Sequence, residues 1–264
     1  MVLDKEETWP VPLLDYLSSQ CEMLHAHARH DTERLKADRD QEGRYIPWAH
    51  RLTNPLSDDF DCATLVVREL VQSTVLRGWH CTRLTEHEVQ HIRTHGMQLP
   101  NLEVLTQRVR RLQADGEINN GIAEQLIAKN QAGENIRQGR LFFCFFEPRT
   151  AGQSGIECFF RFWGGEALSN SHDHDPNTGK TLRKIGRPCL IQVDVPISSL
   201  RVNTSLGETI IKQYLFNRSE GNAAEEPDSH VFDPIPAVNI VRFVFHGDPD
   251  FAALTGCDDW KPPL

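Results

Sequence analysis

The chain has 264 residues, 39% hydrophobic and 25% charged, enough to bury a sizeable core in one domain with additions or in two at most. A net charge of −9 argues against a large nonspecific nucleic-acid surface, while leaving room for a local basic face. There is no long apolar run, and the charged opening Met1–Glu7 lacks a signal-peptide pattern, so no membrane span and a cytoplasmic location are expected. In chain order, Leu13, Leu14, Leu17, Cys21 and Leu24 fall at helical spacing before a charged run from His25 to Arg44, which makes residues 1–58 an N-terminal helical accessory segment. Phe60, Ala63, Val67, Leu70 and Val71 continue at helical spacing until Arg77-Gly78, and Trp79–Arg83 reads as a brief strand. Thr85 and Glu88 form a capping box for a helix carrying Val89 and Ile92, which ends near His95 because Gly96 suits a left-handed cap. Residues 101–132 form a helical insertion marked by Leu102, Leu105, Val109, Leu112, Ile118, Ile122 and Leu126.

Beyond the insertion, the apolar run Leu141–Phe146 predicts a strand, and Ile156, Phe159, Phe160 and Trp163 predict an amphipathic helix that Gly164-Gly165 ends. Strands follow at Pro188–Pro196, where Cys189, Ile191, Val193 and Val195 alternate with more polar neighbours, and around Ile240–His246. This alternation predicts an α+β fold rather than a doubly wound one, and no glycine-rich dinucleotide fingerprint follows any strand. Residues 251–264 read as a C-terminal tail.

The candidate chemistry lies on the short strand, where alternation puts His80 and Thr82 on one face and Trp79, Cys81 and Arg83 on the other. Two hydrogen-bonding side chains on one face suit a polar ligand. Glu166 stands just past an aromatic wall and the glycine pair, where an apolar setting would raise its pKa and fit it for acid/base work. Arg140 reads equally as a solvent-facing strand entry, and only Arg83 is carried forward as an anion ligand. The seven cysteines contain no C-x-x-C pair and are expected as reduced, buried thiols. The stretches His25–Asp31 and His172–Asp175 lack a full ligand set at recognised spacing, so no metal is expected, and the second reads as an exposed turn. Arg108, Arg110 and Arg111, with Lys180, Arg183, Lys184 and Arg187, read as solvated faces and as the places to look for a polyanion.

His80-x-Thr82 after an aromatic residue, a short polar link, then Glu88-x-x-x-Ile92-x-x-x-Gly96, resembles the first strand and helix of the ADP-ribosyltransferase fold, as in poly-ADP-ribose-polymerase-like enzymes and bacterial toxins that modify nucleic acid. The strands and aromatic helix that follow extend the resemblance over roughly residues 79–247. It implies a split mixed or antiparallel β-sheet core with flanking helices, a catalytic domain over residues 59–250, and an insertion at 101–132 that shapes the acceptor or covers the NAD cleft. NAD is then the ADP-ribose donor. His80 would hydrogen-bond the nicotinamide-side ribose with Thr82 beside it, Arg83 would meet the pyrophosphate, Phe145 and Trp163 would wall the nicotinamide ring, and Gly164 would let backbone approach the ligand. The family's glutamate lies late in the fold, yet no glutamate stands near Ser229 and His230. Glu166 is favoured for that role, ahead of Glu225, Glu226 and Asp228. The implied activity is mono-ADP-ribosyl transfer to a macromolecule, RNA or DNA ahead of protein, by a toxin of a toxin–antitoxin or phage-defence system with an antitoxin as partner. A non-catalytic module binding ADP-ribose or a nucleic-acid end, and an RNA 2′-phosphotransferase, are the alternatives.

Overall fold

Three helices come first, α1 (Val11–Ser19), α2 (Cys21–Ala37) and α3 (Ser57–Val71), followed by strand β1 (Val75–Leu84), helices α4 (Glu86–His95), α5 (Leu102–Ala114) and α6 (Asn120–Ala128), and strand β2 (Leu141–Phe143). Then come α7 (Gly152–Arg161), α8 (Glu166–His172), α9 (Thr178–Leu182), β3 (Arg187–Pro196), β4 (Leu200–Val202), α10 (Leu206–Phe216), β5 (Ser229–Val231), β6 (Ile240–Phe245) and α11 (Pro249–Thr255). The computed structural model describes residues 1–37, 53–202, 206–221, 223–226 and 229–264. Asp228 and the end of the charged run, residues 38–44, lie outside the described residues. The architecture is α+β, with two small sheets in the orders β1-β3-β6 and β2-β5-β4. Both β3 with β6 and β2 with β5 pair antiparallel. Among the described residues no helix is long and apolar enough to cross a membrane.

The chain folds as two compact units, residues 1–75 with 202–227, and residues 76–201 with 228–264. In the first, Leu13, Leu17 and Leu24 are buried with Phe60, Ala63, Val67 and Val71 of α3 and Ile210, Ile211 and Leu215 of α10. Helix α10 comes so near α3 that a Cβ on Gly207 would lie 2.2 Å from the Thr64 carbonyl oxygen, an approach that only glycine permits. Helix α3, expected to open the 59–250 region, therefore belongs with the N-terminal helices and a helix from beyond residue 200.

In the second unit, one core cluster gathers Leu105, Val109, Leu126, Trp163, Leu168 and Leu182 from α5, α6, α8, α9 and the loop after α7. A second cluster under the first sheet holds Trp79, Leu190 and Val244 with Ile156, Phe160, Phe251 and Trp260. The C-terminal residues are thus core rather than tail: the Phe160 ring lies 5.2 Å from Phe251 and 6.1 Å from Trp260.

Strand β1 is longer than the Trp79–Arg83 strand the sequence predicts. It runs through Gly78, which is not a break but the spot where the Phe145 ring lies on the strand, since a Cβ there would come 2.7 Å from Phe145 Cε1. The LFFCFF run is regular strand only to Phe143. Trp79 and Cys144 then exchange backbone bonds of 2.7 and 2.9 Å, and this bridge connects β1 to the chain leaving β2. Helix α4 starts at the predicted capping box, with Glu88 N–H donating to Thr85 Oγ1 (3.3 Å) and Thr85 N–H to Glu88 Oε2 (2.8 Å). Gly96 has φ 82° but ψ −170°, so it is not the expected left-handed cap. It turns the chain against Ile235, whose carbonyl oxygen would be 2.0 Å from a Cβ at position 96. Helix α7 ends two residues before Trp163, because the Trp163 N–H leaves the helical ladder to donate to the Leu182 carbonyl at 3.0 Å.

Candidate functional site

On one face of β1, Trp79 and Cys81 enter the core. Arg83, on that face too, donates from Nε to the Ile185 carbonyl (2.6 Å) and from Nη1 to the Phe160 carbonyl (3.0 Å). Its guanidinium is committed to the backbone, which corrects the expectation that it meets a pyrophosphate. The other face carries His80 and Thr82, both partly buried.

His80 Nδ1 lies 3.0 Å from the Phe142 carbonyl oxygen, and its ring is tilted against Phe143 at 5.9 Å. A carbonyl only accepts, so Nδ1 carries the hydrogen. Burial pushes the imidazole pKa down, the Phe142 carbonyl opposes this, and the positive charge of Arg108 adds to it, leaving His80 below its ordinary value. The ring is consequently neutral at physiological pH, with a lone pair on Nε2 and its orientation fixed by β2. Thr82 adds a hydroxyl on the same strand face.

At the first turn of α4 lies a network that sequence reasoning missed. The Glu88 carboxylate, 13% exposed, accepts from Arg108 Nε (2.6 Å), from the Trp163 indole N–H (3.0 Å) and from the Thr85 backbone. Arg108 also stacks over the Trp163 ring at 4.5 Å. Burial works to raise the Glu88 pKa, but the Arg108 charge and the donors from Thr85 and Trp163 outweigh it and hold the carboxylate below its usual range. Glu88 was legible only as a cap, and its partners lie 20 and 75 residues away with no pattern to announce them. Arg108, expected on a solvated face, is a ligand of this carboxylate instead. Trp163 is fully buried and Phe145 nearly so. Both are core side chains without a ring face to offer, which corrects their expected role as nicotinamide walls.

Gly164 and Gly165 have φ of 84° and 55°, so the chain turns through two residues of positive φ and places Glu166 first in α8. The space beside Gly164 is filled by Leu168, 2.6 Å from where a Cβ would stand, so this glycine serves internal packing. Glu166 is not in an apolar setting. Its side chain is 46% exposed and accepts from Arg137 Nη2 at 3.2 Å, while Arg137 also pairs with Glu134. Nearby, burial first and the Glu166 charge second push the Cys158 thiol up to about 11, so it is no nucleophile near neutrality. His80 and Glu166 share no hydrogen bond. Glu225 and Glu226 lie in the first unit. His172, expected in an exposed turn, is buried and bonded through Nδ1 to Thr178 Oγ1 (2.9 Å) and through Nε2 to the Lys129 carbonyl (2.7 Å). It is a core histidine.

His80 presents an acceptor Nε2 with the Thr82 hydroxyl on the same strand face, and Glu166 presents a carboxylate paired with Arg137. Comparison of the chain with known protein families, with curated proteins and with solved structures finds no match.

Proposed function

We propose that this chain is an NAD-dependent mono-ADP-ribosyltransferase, in which His80 accepts a hydrogen bond from a hydroxyl of the nicotinamide-side ribose and Glu166 faces the positive charge that develops at C1′. The observation that carries the reading is the state of His80. Its Nδ1–H is held by the Phe142 carbonyl and its pKa is lowered, so a neutral, oriented Nε2 acceptor stands on the strand face it shares with Thr82. In the reaction the bond between the nicotinamide nitrogen and C1′ breaks with its electrons going to nicotinamide. C1′ bonds to an acceptor nucleophile, and the acceptor's proton passes to a base. A carboxylate beside C1′ stabilises the oxocarbenium-like transition state. Two small sheets within an α+β unit are compatible with the split core that the resemblance implies. The reading does not use Arg83, Phe145 or Trp163.

Because those three side chains are consumed by the fold, a second reading has its own support: a module that binds an ADP-ribose moiety or a nucleic-acid end without chemistry. Incubation with labelled NAD and total RNA, DNA and protein separates the two. For the transferase, nicotinamide is released and label enters one polymer. Glu166→Gln then loses transfer by about 10²-fold or more while still binding NAD, and His80→Ala loses NAD binding or turnover with its fold intact. NAD bound but left whole supports a module for ADP-ribose, and no NAD binding sinks the transferase and leaves only a module for a nucleic-acid end.

A further inference from the structure

Among the described residues, Nε of Arg137 and Nε of Arg140 are enclosed by the protein without a hydrogen-bond partner. Arg137 has carboxylates on its other nitrogens, whereas Arg140 has none among the described residues; its guanidinium lies over the Phe232 ring, 5.4 Å from the centroid. The register Leu141↔Val231 and Phe142↔His230 makes Arg140 and Phe232 the next rung of the same ladder. By alternation Arg140, Phe142, His230 and Phe232 share one face of β2 and β5, and the buried Leu141, Phe143 and Val231 share the other. On the first face the rings of His230 and Phe232 meet at 4.9 Å and those of Phe142 and His230 at 5.2 Å. Phe142 is 40% exposed and Phe232 46% exposed.

We propose that this face binds single-stranded nucleic acid, with bases stacking on the exposed rings of Phe142 and Phe232 and a backbone phosphate taken by the Arg140 fork. A guanidinium with no carboxylate partner among the described residues keeps its terminal nitrogens for an anion that accepts two parallel bonds, as a phosphate does. An acidic peptide would supply the anion but would leave two exposed aromatic faces uncovered. A polynucleotide supplies one planar ring per charge, and only an unpaired strand presents those rings for stacking. The net charge of −9 confines such binding to a local site, so its salt dependence is that of one or two phosphates, a slope of about −0.7 for each. The face is also joined to the candidate site, because the Phe142 carbonyl is the group that orients His80. That this strand is the acceptor of ADP-ribose rests on the function proposed above; that the face binds it does not.

The test is fluorescence anisotropy of labelled oligothymidine, oligouridine and a short duplex on the full chain, without NAD. Single strands bind more tightly than the duplex, and the tighter of the two names RNA or DNA. Phe232→Ala and Arg140→Gln each weaken binding about tenfold or more, while Arg149→Gln, which removes an exposed charge paired with Glu147, changes it less than twofold. Phe232 is half exposed, so its truncation leaves the fold in place, and circular dichroism checks this for each variant. Equal loss in Arg149→Gln, unchanged binding in both test variants, or a duplex bound as tightly as single strands overturns the proposal. Single-strand binding by the unaltered chain together with absent NAD turnover leaves the proposal standing and removes only the transferase reading.

Discussion

His80 and Glu88 stand eight positions apart and show two ways in which burial decides a residue's use. The imidazole is kept neutral by burial and by a nearby positive charge, so its acceptor role should persist well into mild acid. If the transferase reading holds, the acid limb of kcat/KM should fall below His80's ordinary value of 6.5, because activity is lost only as pH drops through the lowered pKa. A limb above that value would show that another group controls it. Glu88 is held ionised by Arg108 and by donors from Thr85 and Trp163, and is structural. Glu88→Gln removes the partner of a guanidinium that is 32% exposed, so its cost should be about 2 to 3 kcal/mol, somewhat under that of a fully buried pair. The melting temperature should drop by roughly 5 to 10 °C near neutral pH. Since the folded-state pKa of Glu88 is depressed, its contribution is complete above the ordinary 4.5 and is lost as pH falls through the folded value. The gap between wild type and variant should therefore close in acid, and a gap independent of pH would mean that the charge is not what Glu88 contributes.

At the scale of elements, local signals were legible and long-range ones were not. The capping box of Thr85 and Glu88, the apolar spacing of α3 and the alternation in β3 depend on residues a few positions apart, and the structure places each as the pattern predicts. The faces of β1 were legible for the same reason. Arg83 was misread because its partners at Phe160 and Ile185 belong to other elements, and Phe145 and Trp163 because an aromatic stripe does not say whether its rings meet protein or ligand. Gly96 shows how a correct residue can have the wrong reason, since the close approach of the Ile235 carbonyl, rather than a left-handed cap, demands glycine there. The two ends of α4 should therefore respond unequally to alanine. Thr85→Ala loses one capping bond, about 1 kcal/mol. Gly96→Ala combines positive φ with backbone overlap and should cost more, about 2 to 4 kcal/mol. Denaturant midpoints measured side by side would decide this, and equal shifts would mean that the chain at Ile235 moves aside freely.

At the scale of the molecule, the boundary near residue 58 expected from composition differs from the way the chain packs. Composition marked a charged, weakly periodic N-terminus as an accessory, yet Leu13, Leu17 and Leu24 are fully buried in a unit that also takes α3 and α10. Helix α10 is sequence-distant from its partners, and only Gly207, fitted against the Thr64 carbonyl, hints in hindsight at so close a contact. A chain cut to residues 76–264 keeps α10 but loses α1, α2 and α3, and so uncovers Ile210, Ile211, Tyr214 and Leu215 together. Four large apolar side chains exposed on one short helix amount to several kcal/mol of lost burial, at about 1.5 to 3 kcal/mol each. They also form a patch of the kind that drives association. The truncated chain should bind a hydrophobic dye and aggregate in size-exclusion chromatography. Replacing Ile210, Ile211 and Leu215 with polar residues in that truncated chain should restore a monomer, because the second unit has its own two core clusters. A 76–264 chain that is monomeric without those changes would show that α10 finds cover elsewhere and that the first unit is a separable accessory after all.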